Sequence, residues 1–153
     1  MKMHAMLALA ACLALGLGSA LLAEDNEAKD PLAVAKCPVS GKAVKADAAV
    51  AYKEGKVYFC CNGCPEAFKK DTAKFASKAN QQLAATGQYT EAKCPLTGAK
   101  LNPETKISIA GADVAFCCNG CKGKATKLEG AEQIDFVFND KAFAKGFVPA
   151  KAE

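Results

Sequence analysis

The feature that most constrains the fold of this chain is a cysteine-rich hexapeptide that occurs twice. Residues 59–64 and residues 116–121 both read Phe-Cys-Cys-Asn-Gly-Cys. Each copy follows a single cysteine that opens a Cys-Pro-x-(Ser/Thr)-Gly turn, at Cys37 in the first half and at Cys94 in the second. The separation between turn and hexapeptide is the same in both halves, so the copies align without a gap. An internal duplication of this kind predicts two similar structural units in tandem.

The N-terminal segment has the composition of a secretory signal peptide. Lys2 precedes an almost uninterrupted apolar run from Ala5 to Ala23, which ends in small residues before the charged segment at Glu24. A membrane-anchoring helix is the alternative, because the run is nearly long enough to span a bilayer. We favour a signal peptide over residues 1–23 that is cleaved, and therefore expect a periplasmic or secreted protein with no stable membrane span after cleavage.

Cleavage of this signal would remove the only histidine, His4, together with every methionine. The remaining chain then offers a metal no imidazole and no thioether, and it has no histidine base for Ser-His-Asp or Cys-His catalysis. Its basic residues are all lysine and are spread along the chain, which gives no basic stripe for nucleic acid. We therefore expect neither an enzyme nor a nucleic-acid-binding protein, and its chemistry should depend on the remaining cysteines.

The pattern of apolar residues and turn residues predicts an α+β fold of two tandem units. We expect a flexible leader over residues 24–31, a first unit over residues 32–87 and a second over residues 88–153. Each unit is short for a domain that depends on hydrophobic burial alone, so a staple such as a metal or a disulfide is expected.

Within the first unit, residues 32–35 read as extended. Residues 44–52 and 57–59 are predicted to form a β-hairpin. A helix over residues 67–85 should follow and stop at Gly87.

The second unit should repeat this order with a shorter helix that ends near Gly130. Residues 134–138 alternate in polarity and are predicted to form an extra strand in the C-terminal part of the chain.

The thiols of each unit reach the same region of the predicted structure from two directions. The turn supplies one cysteine, and the junction between the hairpin and the helix supplies three more. If the helix begins at the cluster, Cys64 can share a face with Cys60, four residues away, and with Cys61, three residues away. Cysteines at a helix N-terminus have lowered pKa values, and an all-thiolate set favours Zn²⁺ or Cu(I) over hard cations. The sequence therefore predicts about one zinc or copper(I) ion per repeat.

At these residues the chain resembles the TRASH/YHS family of small metal-binding domains, in tandem duplicate. The family pattern is a cysteine in a turn, a β-hairpin, and then Phe-Cys-x-x-x-Cys-x-x-x-Phe entering a helix. The matching positions are Cys37, Phe59, Cys60, Cys64 and Phe68 in the first copy, and Cys94, Phe116, Cys117 and Cys121 in the second. Ala125 replaces the final Phe of the second copy. The doubled cysteine motif is also similar to the N-terminal metal-binding segment of heavy-metal-transporting ATPases.

The resemblance implies a treble-clef-like fold and heavy-metal binding for metal handling or sensing, with a metal transporter or chaperone as the partner. The positions that inherit a ligand role are Cys37, Cys60, Cys64, Cys94, Cys117 and Cys121. Cys61 and Cys118 are extra to the family pattern, so each is either an additional ligand or a neighbour of the site. We favour an open site with three ligands, because Cys60 and Cys61 are adjacent at a strand end, where successive side chains point to opposite faces.

Two other interpretations of the cysteines stay open at this point. An even number of cysteines in an oxidising compartment is typical of a disulfide-stapled structural or interaction domain, although adjacent cysteines rarely bridge each other without strain. The segment from Cys61 to Cys64 is also a Cys-x-x-Cys pair of the thiol–disulfide redox type, but it lacks the surrounding βαβ pattern. Of the three, we favour metal binding.

Overall fold

A computed structural model describes residues 30–151. The predicted signal peptide and nearly all of the leader lie outside these residues. The strands are β1 (Lys45–Tyr52), β2 (Gly55–Phe59), β3 (Tyr89–Glu91), β4 (Asn102–Ile109), β5 (Ala112–Phe116) and β6 (Phe147–Pro149). The helices are α1 (Cys64–Lys70), α2 (Thr72–Ala85), α3 (Asn119–Thr126), α4 (Gly130–Phe138) and α5 (Asp140–Gly146). The predicted α+β fold class is confirmed.

Both halves of the chain have the same order of elements, an antiparallel hairpin followed by two helices. The first half contains β1, β2, α1 and α2, and the second contains β4, β5, α3 and α4. The register of each hairpin shifts at the corresponding place, after Lys45 in β1 and after Asn102 in β4. Each hairpin turn also holds a non-glycine residue with positive φ at the corresponding position, 52° at Lys53 and 50° at Ala110. Because this conformation is uncommon for residues with a Cβ atom, its recurrence supports the duplication.

The predicted helix over residues 67–85 is divided in two. Asp71 interrupts it with φ −145° and ψ 68°, and its carboxylate then accepts a hydrogen bond of 3.2 Å from the N–H of Lys74. Asp71 therefore ends α1 and caps the N-terminus of α2, which is a role that aspartate performs well.

The predicted strand over residues 134–138 is wrong, since these residues belong to α4. Val137 and Phe138 are adjacent in sequence and both fully buried, whereas alternate burial would be needed in a half-buried strand. Together with the partly buried Ile134, they form an i, i+3, i+4 set on one helix face. Four of these five residues are apolar, and so short a segment does not distinguish the two-residue period of a strand from the 3.6-residue period of a helix. The strand in this part of the chain is β6, which pairs antiparallel with β3.

Residues 32–35 were expected to be extended and instead form turns. The N–H of Ala33 donates to the carbonyl of Asp30 at 2.9 Å, and the N–H of Ala35 donates to that of Leu32 at 3.1 Å. The Asp30 carboxylate also accepts from the N–H of Leu32 at 2.9 Å. Aspartate commonly nucleates a turn in this way.

The two halves share one hydrophobic core. Helix α2 packs against α4 and also contacts β2 of its own half and β5 of the other. The contacts are reciprocal, because each hairpin tip reaches the helices of the other half. Lys53 forms a 3.0 Å ion pair with Asp140 of α5, and the Gln81 amide of α2 donates to the carbonyl of Ala110 at 2.6 Å. The division at residue 87 therefore separates two sequence repeats that bury their apolar side chains in a common interior.

A cluster of aromatic rings closes the core beneath the β3–β6 pair. The ring of Phe143 lies 4.9 Å from both Tyr89 and Phe147, and Phe147 lies 5.5 Å from Phe138. Within residues 30–151, no helix has the length and apolar character that crossing a membrane requires.

Candidate metal centre

A tight turn holds the first cysteine of each repeat in place. Cys37 donates its N–H to the carbonyl of Lys42 at 2.8 Å, and its carbonyl accepts from Gly41 at 2.8 Å. Cys94 repeats both bonds, with its N–H donating to Ala99 at 2.9 Å and Gly98 donating to its carbonyl at 2.7 Å. Gly41 and Gly98 have φ values of 74° and 77°, so the glycine of the Cys-Pro-x-(Ser/Thr)-Gly motif supplies a left-handed residue.

The hairpin and the following helix supply the remaining thiols. Phe59 is fully buried at the end of β2 and anchors that end in the core. Cys60 follows it at the surface of the hairpin, and Cys64 is the first residue of α1. The sulfur atoms of Cys37, Cys60 and Cys64 all lie within 4.8 Å of one another, with 3.7 Å between those of Cys60 and Cys64.

The second repeat builds the same triad. The sulfur atoms of Cys94, Cys117 and Cys121 also lie within 4.8 Å of one another, and those of Cys117 and Cys121 are 3.7 Å apart. In both triads the turn cysteine and the helix cysteine are buried, and the cysteine that follows the hairpin is partly buried. The six cysteines with a predicted ligand role are thus brought together as two groups of three that are close enough to hold a metal ion. Their role as ligands stays a prediction.

A hydroxyl group contacts the sulfur of the cysteine that directly follows the hairpin in each triad. The Ser40 hydroxyl oxygen lies 3.1 Å from the sulfur of Cys60, and the Thr97 hydroxyl oxygen lies 3.3 Å from that of Cys117. The sequence contained this signal, because Ser or Thr recurs at the same place in the turn motif, but its contact with a thiol was not foreseen. A hydroxyl that donates to a sulfur stabilises the thiolate form.

The turn cysteines have pKa values below that of an ordinary cysteine thiol. Burial raises the pKa of Cys37, but hydrogen bonds from the Ser40 hydroxyl and from nearby backbone N–H groups outweigh it and lower the pKa from 9.0 to about 7. For Cys94, burial is likewise outweighed by the Thr97 hydroxyl and by backbone N–H groups, and its pKa is again about 7. Each triad therefore contains one thiol that ionises near neutral pH.

The helix cysteines behave in the opposite way. Burial, followed by hydrogen bonds with neighbouring thiols, raises the pKa of Cys64 well above 9.0. The same causes raise the pKa of Cys121 to about 12. In the absence of metal, a protonated helix thiol therefore lies beside an ionisable turn thiol, and a metal ion would have to displace the remaining protons.

The two extra cysteines lie outside the triads. Cys61 and Cys118 are both exposed, and among residues 30–151 neither belongs to a group of three with sulfur atoms within 4.8 Å of one another. Their contacts differ between the repeats. The sulfur of Cys61 lies 3.4 Å from that of Cys64, whereas the sulfur of Cys118 lies 3.8 Å from that of Cys117, its neighbour in sequence.

A buried glutamine of α2 links the turn to the hairpin in the first repeat. The Gln82 amide donates to the carbonyls of Lys36 and Tyr58 at 2.8 and 2.9 Å, and its oxygen accepts from the N–H of Tyr58 at 2.7 Å. It therefore fixes the residue before Cys37 relative to the strand before Cys60. Sequence reasoning missed Gln82, because nothing local distinguishes it from a solvent-facing helix residue.

A carboxylate takes the corresponding place in the second repeat. Glu91 accepts a 2.7 Å hydrogen bond from the N–H of Ala115, the repeat counterpart of Tyr58. The other carboxylate oxygen of Glu91 is buried and has no hydrogen-bond partner among the described residues. Burial raises the pKa of Glu91 to about 7, against the hydrogen bond from Ala115, which lowers it.

All eight cysteines of residues 30–151 carry free thiols, and no disulfide is formed within this range. The arrangement can therefore present two clusters of three soft ligands, each with a hydroxyl contact and an exposed thiol beside it. No protein-family model matches the chain, and neither a curated protein nor a solved structure is significantly similar to it.

Proposed function

We propose that the protein binds heavy-metal ions, Zn²⁺ or Cu(I), at two cysteine-thiolate sites, one per repeat. The observation that carries this proposal is the recurrence of the triad, since two separate segments of the chain bring three sulfur atoms within 4.8 Å of one another in both halves. Thiolates bound to one tetrahedral zinc at about 2.3 Å are separated by about 3.8 Å. The 3.7 Å separations within the two triads fit that requirement.

The character of the donors supports soft metals. Each triad contains sulfur alone, and the hydroxyls of Ser40 and Thr97 contact the cysteine that directly follows the hairpin. Sulfur ligands select Zn²⁺ and Cu(I) over Mg²⁺ or Ca²⁺, which prefer oxygen. Three ligands also leave a zinc site with one open position, as in sites that exchange a ligand, whereas structural zinc sites are closed by four.

An open site beside an exposed thiol suits metal handling or sensing with a transporter or a metal chaperone as the partner. The proposal includes export to the periplasm or the cell exterior, on the basis of the N-terminal sequence, and a TRASH/YHS-like origin, on the basis of the cysteine pattern. It includes no enzymatic activity, and residues 30–151 contain no histidine for a Ser-His-Asp or Cys-His arrangement.

Cobalt titration tests the stoichiometry directly. Reduced apo-protein should develop thiolate-to-cobalt charge-transfer bands that saturate near two equivalents. Cys64→Ser and Cys121→Ser should each lower saturation to one equivalent, because each removes a sulfur from one triad. Cys61→Ser and Cys118→Ser are the matched controls and should leave two equivalents.

Three results would count against this assignment in different ways. The absence of charge-transfer bands at any ratio would remove the metal sites. Loss of one equivalent in Cys61→Ser would mean that this thiol closes a four-sulfur site. A full set of disulfides in protein purified without reductant, with no bound metal by elemental analysis, would favour the structural alternative.

A further inference from the structure

We propose that the two repeats differ in their reaction with disulfides. Cys61 and Cys64 of the first repeat form an intramolecular disulfide by exchange with a low-molecular-weight disulfide such as glutathione disulfide. The corresponding pair of the second repeat, Cys118 and Cys121, does so far less readily, although its hexapeptide is identical. Where the proposed metal sites exist, this oxidation releases the ion of the first site and leaves that of the second.

The geometry of the first repeat favours this bond. Cys61 is exposed and can be reached by a reagent in solution, while Cys64 is buried next to it. Their sulfur atoms are 3.4 Å apart, so a bond of about 2.05 Å needs an approach of about 1.4 Å, which side-chain rotation can provide. The exposed Cys61 thiol can therefore react first with a disulfide in solution, and the buried Cys64 thiol can then resolve the mixed disulfide.

The second repeat presents its exposed thiol differently. Cys118 is extended, with φ −161° and ψ 166°, and it precedes α3, which begins at Asn119. Its sulfur contacts that of Cys117 at 3.8 Å, and its thiol also interacts with that of Cys121, without a sulfur contact as close as the 3.4 Å between Cys61 and Cys64. A disulfide between adjacent residues forms only with strain, so the contact with Cys117 does not lead to a stable bridge.

A single difference after the hexapeptide explains why identical sequences take two conformations. In the second repeat the N–H of Lys122 donates to the carbonyl of Cys118 at 3.1 Å and closes the first turn of α3. The corresponding residue of the first repeat is Pro65, which has no N–H to donate. Helix α1 therefore begins only at Cys64, whose own N–H donates to the carbonyl of Cys61 at 3.3 Å. Cys61 remains in the bend before the helix, with its sulfur beside that of Cys64.

The reaction balances without a further reagent. The Cys61 thiolate attacks one sulfur of glutathione disulfide, and a mixed disulfide forms as one glutathione leaves. Cys64 then attacks the Cys61 sulfur, and the second glutathione leaves. Two protein thiols are oxidised and one glutathione disulfide is reduced to two glutathione molecules, which take up the protons. Once Cys64 is in the disulfide, its sulfur is no longer available as a thiolate ligand.

The disulfide itself is tested on metal-free protein, and this part does not depend on the proposed function. Reduced protein in a chelating buffer is equilibrated with glutathione redox mixtures, free thiols are alkylated, and the peptides are identified by mass spectrometry. We expect the Cys61–Cys64 bridge at a ratio of oxidised to reduced glutathione at least tenfold lower than the Cys118–Cys121 bridge of the second repeat. Equal oxidation of the two repeats, or a different pairing of Cys61, would overturn the proposal.

Exchange of the residue after the hexapeptide tests the cause. Pro65→Lys should let the first helix start earlier and should raise the ratio needed for oxidation at least tenfold, to that of the second repeat. Lysine already occupies this place in the other repeat, so the variant should fold, and circular dichroism checks this. Unchanged oxidation of folded Pro65→Lys would refute the structural explanation. The reciprocal Lys122→Pro should make Cys118 and Cys121 the more easily oxidised pair.

Metal release is tested on zinc-loaded protein with a chromophoric chelator. Glutathione disulfide should release one of two equivalents, and Cys61→Ser should prevent the release whereas Cys118→Ser should not. Retention of both ions despite a formed bridge would overturn the coupling between oxidation and release. If no zinc binds at all, the proposed function fails, while the disulfide measurements on metal-free protein still decide the redox difference.

Discussion

Replacement of Glu91 by glutamine should stabilise the protein at alkaline pH. In the first repeat, the Gln82 side chain accepts a hydrogen bond from the N–H of Tyr58 with its oxygen and donates one to the carbonyl of Tyr58 with its amide nitrogen. In the second, Glu91 satisfies only the N–H of Ala115 and leaves a buried oxygen without a partner among the described residues. Glu91→Gln offers an N–H₂ group in place of that oxygen, as Gln82 does.

The size of the effect follows from the raised pKa of Glu91. The carboxyl shifts from 4.5 to about 7 on folding, so the folded state binds this proton more tightly than the unfolded state. The stabilisation that the proton provides is complete below pH 4.5 and is lost as the pH rises through 7. The shift would correspond to roughly 3 kcal/mol for a fully buried group, and because Glu91 is only half-buried we expect about 1–2 kcal/mol.

Urea unfolding of reduced, metal-free protein at pH 5 and pH 8 measures this difference. Glu91→Gln should raise the free energy of unfolding by about 1–2 kcal/mol at pH 8 and change it little at pH 5, where the carboxyl of the parent protein is protonated. Glu104→Gln, at an exposed position of β4, is the matched control and should show no such pH dependence. Equal effects of Glu91→Gln at both pH values would refute the argument, because the carboxyl would then not titrate on folding.

Three further predictions concern packing and the thiols. Gly146→Ala would place a Cβ atom 2.8 Å from Cα of Pro95, so the free energy of unfolding in urea titrations should fall by about 1–3 kcal/mol. Unchanged stability would contradict this close approach. Phe68→Ala removes a buried ring that lies 5.4 Å from the rings of Tyr52 and Phe59, and it should lower the free energy of unfolding by about 3–5 kcal/mol. A loss below about 1 kcal/mol would show that the core closes around the gap. Because Cys37 and Cys94 have pKa values of about 7, zinc affinity in chelator competition should fall at least about tenfold per unit as the pH drops below 7, and a constant affinity from pH 7 to 5 would exclude thiolate ligands.

The hairpins and thiol groups were predictable because their signals are local. Turn residues fix the ends of the strands, and the spacing of Cys37 from the hexapeptide limits where its thiol can lie. The buried Phe59 then sets which way the end of β2 faces. The repetition of the same pattern in the second half strengthened each of these inferences.

The remaining features depend on contacts between distant segments. Residues 134–138 form too short a segment to distinguish a strand from the helix that packing on α2 selects. Gln82 and Glu91 accept hydrogen bonds from corresponding hairpin N–H groups but lie in different elements, so alignment of the repeats cannot pair them. The different positions of Cys61 and Cys118 follow from one hydrogen bond that proline cannot donate, which only the backbone geometry reveals.

The packing of α2 on α4 also bears on how a chain of this kind could have arisen. These helices are the corresponding elements of the two repeats, and they pack directly on each other. A single repeat would leave the apolar face of its long helix uncovered, and in this chain the second repeat covers it. Fusion of two such copies into one chain allows each half to mutate separately. The difference between Pro65 and Lys122 is one that two copies encoded by the same gene could not acquire, because any substitution would appear in both.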